Sequence, residues 1–338
     1  MKPTSISFSK QYPLDTHSLS SLPFCPIFDE ESIYSWCARL HRLIGQANAL
    51  KTCHLLFKHN NAGLHHDFPR RLSSLIKNTG QSCNPETFLT VHTALGSYKA
   101  FLAKEKFNES VASALIGRHA DIKTLLGGHN SGVLYPFALK YCPECVSCSL
   151  QDSGYSIWKT IHQWPSVHIC TLHSRLLISA PKGFHNKPLK KWYLPHDDFV
   201  SQWSEQKEVT ERALDILLKI CNWSMFLTKY NDHPLDSYLL RALYHLQARN
   251  HGFVASDGLL NFQQFKKAFI YQYQDISSIK GFEFLGEVDK DHGGMLGVIF
   301  KQYSGDRLPL KQMLMIDFLF ESPASFSKSY HLIQSIKS

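Results

Sequence analysis

The sequence predicts a mainly α-helical protein in which helical bundles of helix-turn-helix style flank one small cysteine-rich domain, and three observations carry that prediction. Apolar residues recur at helical spacing through most of the chain. Asparagine, proline and glycine punctuate those runs where helices start and stop. One stretch breaks the pattern with Cys142-Pro143-Glu144-Cys145 and then, after residues 146–169, Cys170-Thr171-Leu172-His173.

At 338 residues, 43% of them hydrophobic, the chain is long enough for more than one core. The expected division is a polar, serine-rich arm over 1–22, a helical domain over 23–138, the cysteine-rich domain over 139–195 and a second helical domain over 196–338. The first helix is expected after Asp29, which can cap it, with Phe28 and Ile33 as a hydrophobic staple. Ile33, Trp36, Cys37, Leu40, Leu43 and Ile44 then recur at helical spacing until Gly45. Shorter helices are expected at 47–57, at 69–77, at 85–95 with Asn84 as cap, and at 109–116 before Gly117. After the cysteine-rich segment, 209–228, 234–249, 261–271, 277–285 and 310–320 read as helices, with loops at 256–258 and 289–294.

The two short motifs have metal-ligand spacing. Each C-x-x-C or C-x-x-H turn aims two donors at one point, and together Cys142, Cys145, Cys170 and His173 make a closed Cys3His set suited to one structural Zn(II). Such a set leaves no position for water or substrate, so it excludes metal-assisted hydrolysis there. The interval between the pairs suits a β-hairpin or a strand and crossover, which predicts a zinc ribbon. Cys148 extends the first pair and is a rival ligand; His162 and His168 are weaker rivals.

Nine thinly spread cysteines argue for a reducing compartment, and no apolar run reaches membrane length, so a cytoplasmic protein is expected. The net charge of +8 makes nucleic acid a plausible partner. Between Thr171 and Pro195 there are Arg175, Lys182, Lys187, Lys190 and Lys191 and no acidic residue, with Trp192 beside the last lysine. That stretch suits a phosphate backbone, and equally a solvated loop over core aromatics. The acidic run Asp29-Glu30-Glu31 reads as a solvated first helical turn. No G-x-x-x-x-G-K-[ST], G-x-G-x-x-G, G-x-S-x-G or H-E-x-x-H occurs, and the run from Asp289 to Phe300 lacks the ligands of a calcium loop, so no enzyme is expected.

Two separated motifs give the chain a resemblance. Pro26 to Leu40, with Glu31-Ser32, Ser35-Trp36 and Arg39, resembles the opening motif of the TniQ/TnsD family, the target-selection proteins of Tn-seven-type transposons. Tyr141 to Cys145, Gly154-Tyr155, Trp158, His162-Gln163-Trp164-Pro165 and Cys170 to His173 are similar to its zinc finger. Thr171 and Ser174 stand where proline and glycine are usual, and no second cysteine pair follows, so one ion is expected. The resemblance implies a non-enzymatic adaptor, paired as a homodimer, that engages a Cascade complex with guide RNA, or target DNA, and hands it to the AAA+ regulator TnsC. It implies no membrane and no small-molecule substrate. A TnsD-like protein binding an attachment site directly, and a free-standing zinc-ribbon transcription regulator, remain alternatives.

Overall fold

The computed structural model describes residues 22–117, 122, 125–126, 138–181, 184, 191–203, 209–230, 234–288, 295–301 and 308–337. The N-terminal arm, Lys182, Lys187, Lys190 and the 289–294 loop lie outside the described residues. The described chain is mainly helical, as expected.

The N-terminal bundle contains α1 (Ile33–Leu43), α2 (Ala49–Phe57), α3 (Leu72–Asn78), α4 (Pro85–His92) and α5 (Lys104–Ile116), with short 3-10 turns at Ala62–Leu64 and Ala94–Tyr98. Local rules explain most ends. Asn48 accepts from the Leu50 N–H and Asn84 from the Thr87 N–H, so both cap. Gly45 at φ +67° and Gly117 at φ +106° supply the left-handed residue after α1 and α5.

The start of α1 differs from expectation. Ser32 is its cap, accepting from the Ser35 N–H, and Asp29 is not. The reason is tertiary, because Glu31 is held in an antiparallel bridge with Lys159 and cannot turn helical until the bridge ends. Every residue from Ile33 to Leu40 is buried, so α1 runs through the interior and is not a surface helix with one apolar face.

The cysteine-rich segment holds β1 (Lys140–Tyr141), α6 (Pro143–Ser153), β2 (Ile169–Cys170), β3 (Arg175–Leu176) and β4 (Ile178–Ser179). β1 pairs antiparallel with β4, and β2 with β3. The ribbon is thus reduced to two ladders of two residues each, with an 11-residue helix that begins inside the first ligand pair and runs into the interval. Pro143 opens that helix at its first turn and Gly154, at φ +71°, closes it.

The C-terminal part contains α7 (Asp198–Ser201), α8 (Glu211–Lys229), α9 (Ser237–Asn250), α10 (Phe262–Tyr273), α11 (Met295–Lys301), α12 (Pro309–Leu319) and α13 (Pro323–Lys337). Between α10 and α11 the expected helix at 277–285 is replaced by 3-10 turns at Gln274–Ile276 and Glu283–Glu287. α12 is buried almost throughout, from Pro309 to Ile316 and at Leu319, and serves as the central helix of this part.

Two hydrophobic cores result, and the cysteine-rich segment belongs to both. Leu139, Tyr141, Trp158, Ile178 and Ala180 join the N-terminal core. Cys142, Cys145, Trp164, Val167, Ile169, Cys170 and Leu177 join the C-terminal one. The β1–β4 ladder carries the split, with Leu139, Tyr141, Ile178 and Ala180 on the face toward the N-terminal core, while both residues of β2 join the C-terminal one.

Candidate metal centre

Cys142 sits in extended conformation immediately before α6, and Cys145 lies in the first turn, so both thiols project from one helix end. Cys170 closes β2, and the turn to β3 brings His173 back beside it. Ser174 adopts φ +49° in this turn, where its N–H donates to the Cys170 carbonyl at 2.8 Å. A side chain in that left-handed region is strained, and glycine would relieve it.

The four donor atoms all lie within 4.8 Å of one another. The His173 Nδ1 is 3.4 Å from the Cys142 Sγ, 3.4 Å from the Cys145 Sγ and 3.5 Å from the Cys170 Sγ. Cys145 Sγ and Cys170 Sγ are 3.6 Å apart. A tetrahedral ion with zinc's bond lengths has S···N edges of about 3.6 Å and S···S edges of about 3.8 Å. The donor set therefore fits such an ion, which His173 would meet through Nδ1. Four protein donors would complete a tetrahedron around such an ion, the pattern of a structural site.

Without an ion, three thiols crowded together share protons. Hydrogen bonds with Cys145 and Cys170 push the Cys142 thiol up, and hydrogen bonds from Cys142 and Cys145 pull Cys170 down. Binding a divalent cation removes that competition by holding all three as thiolates.

The rivals fall outside the donor set. Cys148 is exposed on α6 and is not among the clustered ligands. His162 is buried and supports the centre from behind, its ring hydrogen-bonded to Cys170; burial, opposed by that bond, holds its imidazole below the ordinary range. His168 is buried as well, donating Nε2–H to the Pro165 carbonyl at 3.0 Å and packing on the Phe282 ring at 4.8 Å. The Gln163 amide accepts from the Lys140 N–H at 3.0 Å and donates to the Lys140 carbonyl at 2.9 Å. That side chain stands in for a neighbouring strand along β1. Lys140 itself is buried, and its ammonium donates to the Trp164 carbonyl at 2.7 Å and to the Val167 carbonyl. Burial pulls this ammonium down to about 7.

Of the basic stretch, Arg175, Lys191 and Trp192 lie among the described residues. Arg175 is ion-paired with Glu144, joining the two ligand turns across the centre. Burial works against ionisation of Glu144, yet the Arg175 guanidinium and the Cys142 thiol hold its carboxyl below the usual range. Trp192 is buried, tilted against Tyr34 at 5.4 Å, which gives it a packing role in the N-terminal core. Lys191 is exposed.

The acidic run also departs from expectation. Glu30 is exposed and pairs with Lys159 at 2.6 Å, but Glu31 is fully buried. Its carboxylate takes Arg39 in a fork, Nε at 2.8 Å and Nη2 at 2.6 Å, and accepts from Ser35 Oγ at 2.9 Å. Ser35 Oγ in turn accepts from the Trp158 N–H at 3.0 Å, and the Trp158 carbonyl accepts from the Ser32 N–H at 3.0 Å. The Glu31-Ser32…Ser35…Arg39 motif is thus the socket that docks α1 on the segment between the ligand pairs. Sequence reasoning missed it; the signal available was the eight-residue spacing of Glu31 and Arg39 about a helix start.

Comparison with known proteins agrees with these two motifs. A family model for the TniQ domain matches residues 22–177. The transposon Tn7 transposition protein TnsD of Escherichia coli is 24% identical over 112 residues, which cover 33% of this chain. The chain spans 22% of that relative's length.

Proposed function

We propose, from the premise that this chain belongs to the TniQ family through its domain over residues 22–177, that it is a non-enzymatic target-site selection adaptor of a Tn7-type transposon. In this reading it links a target-recognition complex, an RNA-guided Cascade, to a TnsC-like AAA+ ATPase in the cytoplasm, and works as a pair of copies. The observation that carries it is the TniQ match, which spans both the Glu31–Arg39 socket and the ligand turns. Cys142, Cys145, Cys170 and His173 would hold one zinc ion, whose role is to lock the segment shared by the two cores. In this reading the helical bodies 23–138 and 196–338 are the presenting surfaces, joined through 139–195 and also directly, since Val200, Trp203 and Leu308 pack in the N-terminal core and Ala100 in the C-terminal one. Among the described residues no helix is long and apolar enough to cross a membrane.

The likeness to TnsD favours a second reading, in which the chain recognises an attachment sequence directly. Co-expression separates the two. The adaptor reading expects the chain to co-purify with Cascade, guide RNA and the ATPase on a sizing column. Binding to one duplex sequence in the absence of any guide complex would select direct recognition, and separation from the ATPase in both settings would sink both readings.

A further inference from the structure

Three helix ends meet around a basic cleft in the N-terminal bundle. The cleft has a volume of about 260 Å³ and is lined by His59, Ala62, Arg70, Arg71, Ile116 and Gly117. α2 ends in Lys58 at φ +53°, and α3 begins after Arg71 at φ +58°. Left-handed backbone is uncommon for residues with side chains, and such strain collects at binding sites. Here both strained residues are basic, and they touch, the Arg71 Nη1 donating to the Lys58 carbonyl at 3.0 Å. Gly117 completes the arrangement, since a Cβ there would lie 2.8 Å from the Arg71 Cγ.

Among the described residues, the positive charge in this cleft has no counterpart, and no carboxylate pairs with Arg70 or Arg71. The Arg70 Nη2 donates to Asn61 Oδ1 at 3.2 Å and meets His65 Nε2 at 3.1 Å, while its buried Nε–H has no partner among them. Burial alone draws the Arg70 guanidinium below its ordinary range, and burial together with the two arginines does the same to the His59 imidazole. A buried donor without an acceptor, beside two guanidinium charges with no carboxylate partner, calls for an anion. The lining contains no aromatic ring of Phe, Tyr or Trp on which a base could stack, which favours a backbone phosphate over a whole nucleotide.

We propose that this cleft seats a phosphodiester group of a nucleic-acid backbone, with Arg70 and Arg71 as its donors and His59 beside them. The inference deepens the proposed function and rests on it only for which nucleic acid is met. The test is fluorescence anisotropy of the full chain with a labelled DNA duplex and a labelled single-stranded RNA across a salt series, wild type against a variant carrying Arg70→Gln and Arg71→Asn. Asparagine is chosen because it tolerates left-handed backbone. Expected is an affinity loss of about tenfold on at least one nucleic acid, with a log–log salt slope shallower by about 1 to 2 and the cooperative melting transition retained. Equal affinity and slope overturn the proposal, as does absence of binding by the wild type. Inorganic phosphate that binds the wild type but not the variant, with nucleic-acid affinity unchanged, would make this a free-anion site and overturn the backbone assignment. Should the double variant lose its melting transition, His59→Gln, at a half-buried position, replaces it; a smaller affinity loss is then expected, and no loss overturns the proposal. Co-purification with the ATPase is a separate readout, so its failure beside intact cleft-dependent binding would sink the adaptor reading alone.

Discussion

Glu31 accepts from the Phe28 N–H, from Ser35 Oγ and from two nitrogens of Arg39, so a fully buried carboxylate is satisfied on both oxygens. Removing one partner of such a pair leaves the other charge buried and uncompensated. Glu31→Ala is therefore expected to cost about 3 to 5 kcal/mol, read by urea unfolding with the tryptophan fluorescence of the N-terminal core. His92 lies on the same junction, donating Nδ1–H to the Glu31 carbonyl at 2.7 Å. Burial lowers its affinity for a proton, against the pull of that carbonyl and of the Glu31 carboxylate. The unfolded chain then binds more protons than the folded one below the imidazole's ordinary value near 6.5, and stability falls as the pH drops through that value. Urea midpoints measured from pH 8 down to pH 5 are expected to decline, and His92→Gln to flatten the decline; a wild-type curve flat in that range would disprove it.

At the scale of elements, the Cys3His cluster brings α6 and the β2–β3 turn together, and neither is long enough to persist alone. An isolated helix of 11 residues is marginal in water, and a two-residue ladder is weaker still. Chelation or Cys170→Ser is expected to lower the helical signal in circular dichroism by about one short helix and to release one zinc ion per chain in a colorimetric assay. No released zinc from freshly purified protein would contradict the assignment. The ligands were legible in the sequence because each pair is local, its geometry set within four residues. Helix ends were legible for the same reason at Asn84, Gly45 and Gly117. Asp29 misled because the bridge between Glu31 and Lys159 delays α1, a contact 128 residues long that no local rule contains. α6 was missed although Pro143 and Gly154 mark both its ends, because ligand spacing alone was read as a ribbon. α13, which opens at Pro323, carries the same kind of start signal.

At the scale of the whole molecule, the two cores meet in the cysteine-rich segment. Excising 139–195 would strip apolar partners from both, and the segment alone would expose them. A single cooperative calorimetric transition is expected for the full chain, moving to lower temperature as one event on chelation; two transitions, with only one responding to the chelator, would show that the cores unfold independently. The placement of Lys140 was beyond sequence reasoning, since a lysine in a short strand is ordinarily read as exposed.

The alternation along β1 also sets where the chain can grow. Tyr141 faces one core while Lys140, beside it, reaches the Trp164 and Val167 carbonyls on the other side. One extra residue inserted into β1 would exchange those sides, thrusting an ammonium among Trp158 and Ile178 and an aromatic ring against the carbonyls, and one inserted into β4 would turn Ile178 away from its core. Length variation among descendants of this chain should therefore be confined to positions such as Gly154 to Tyr155, between α6 and the socket, and be absent from 139–142 and 176–180.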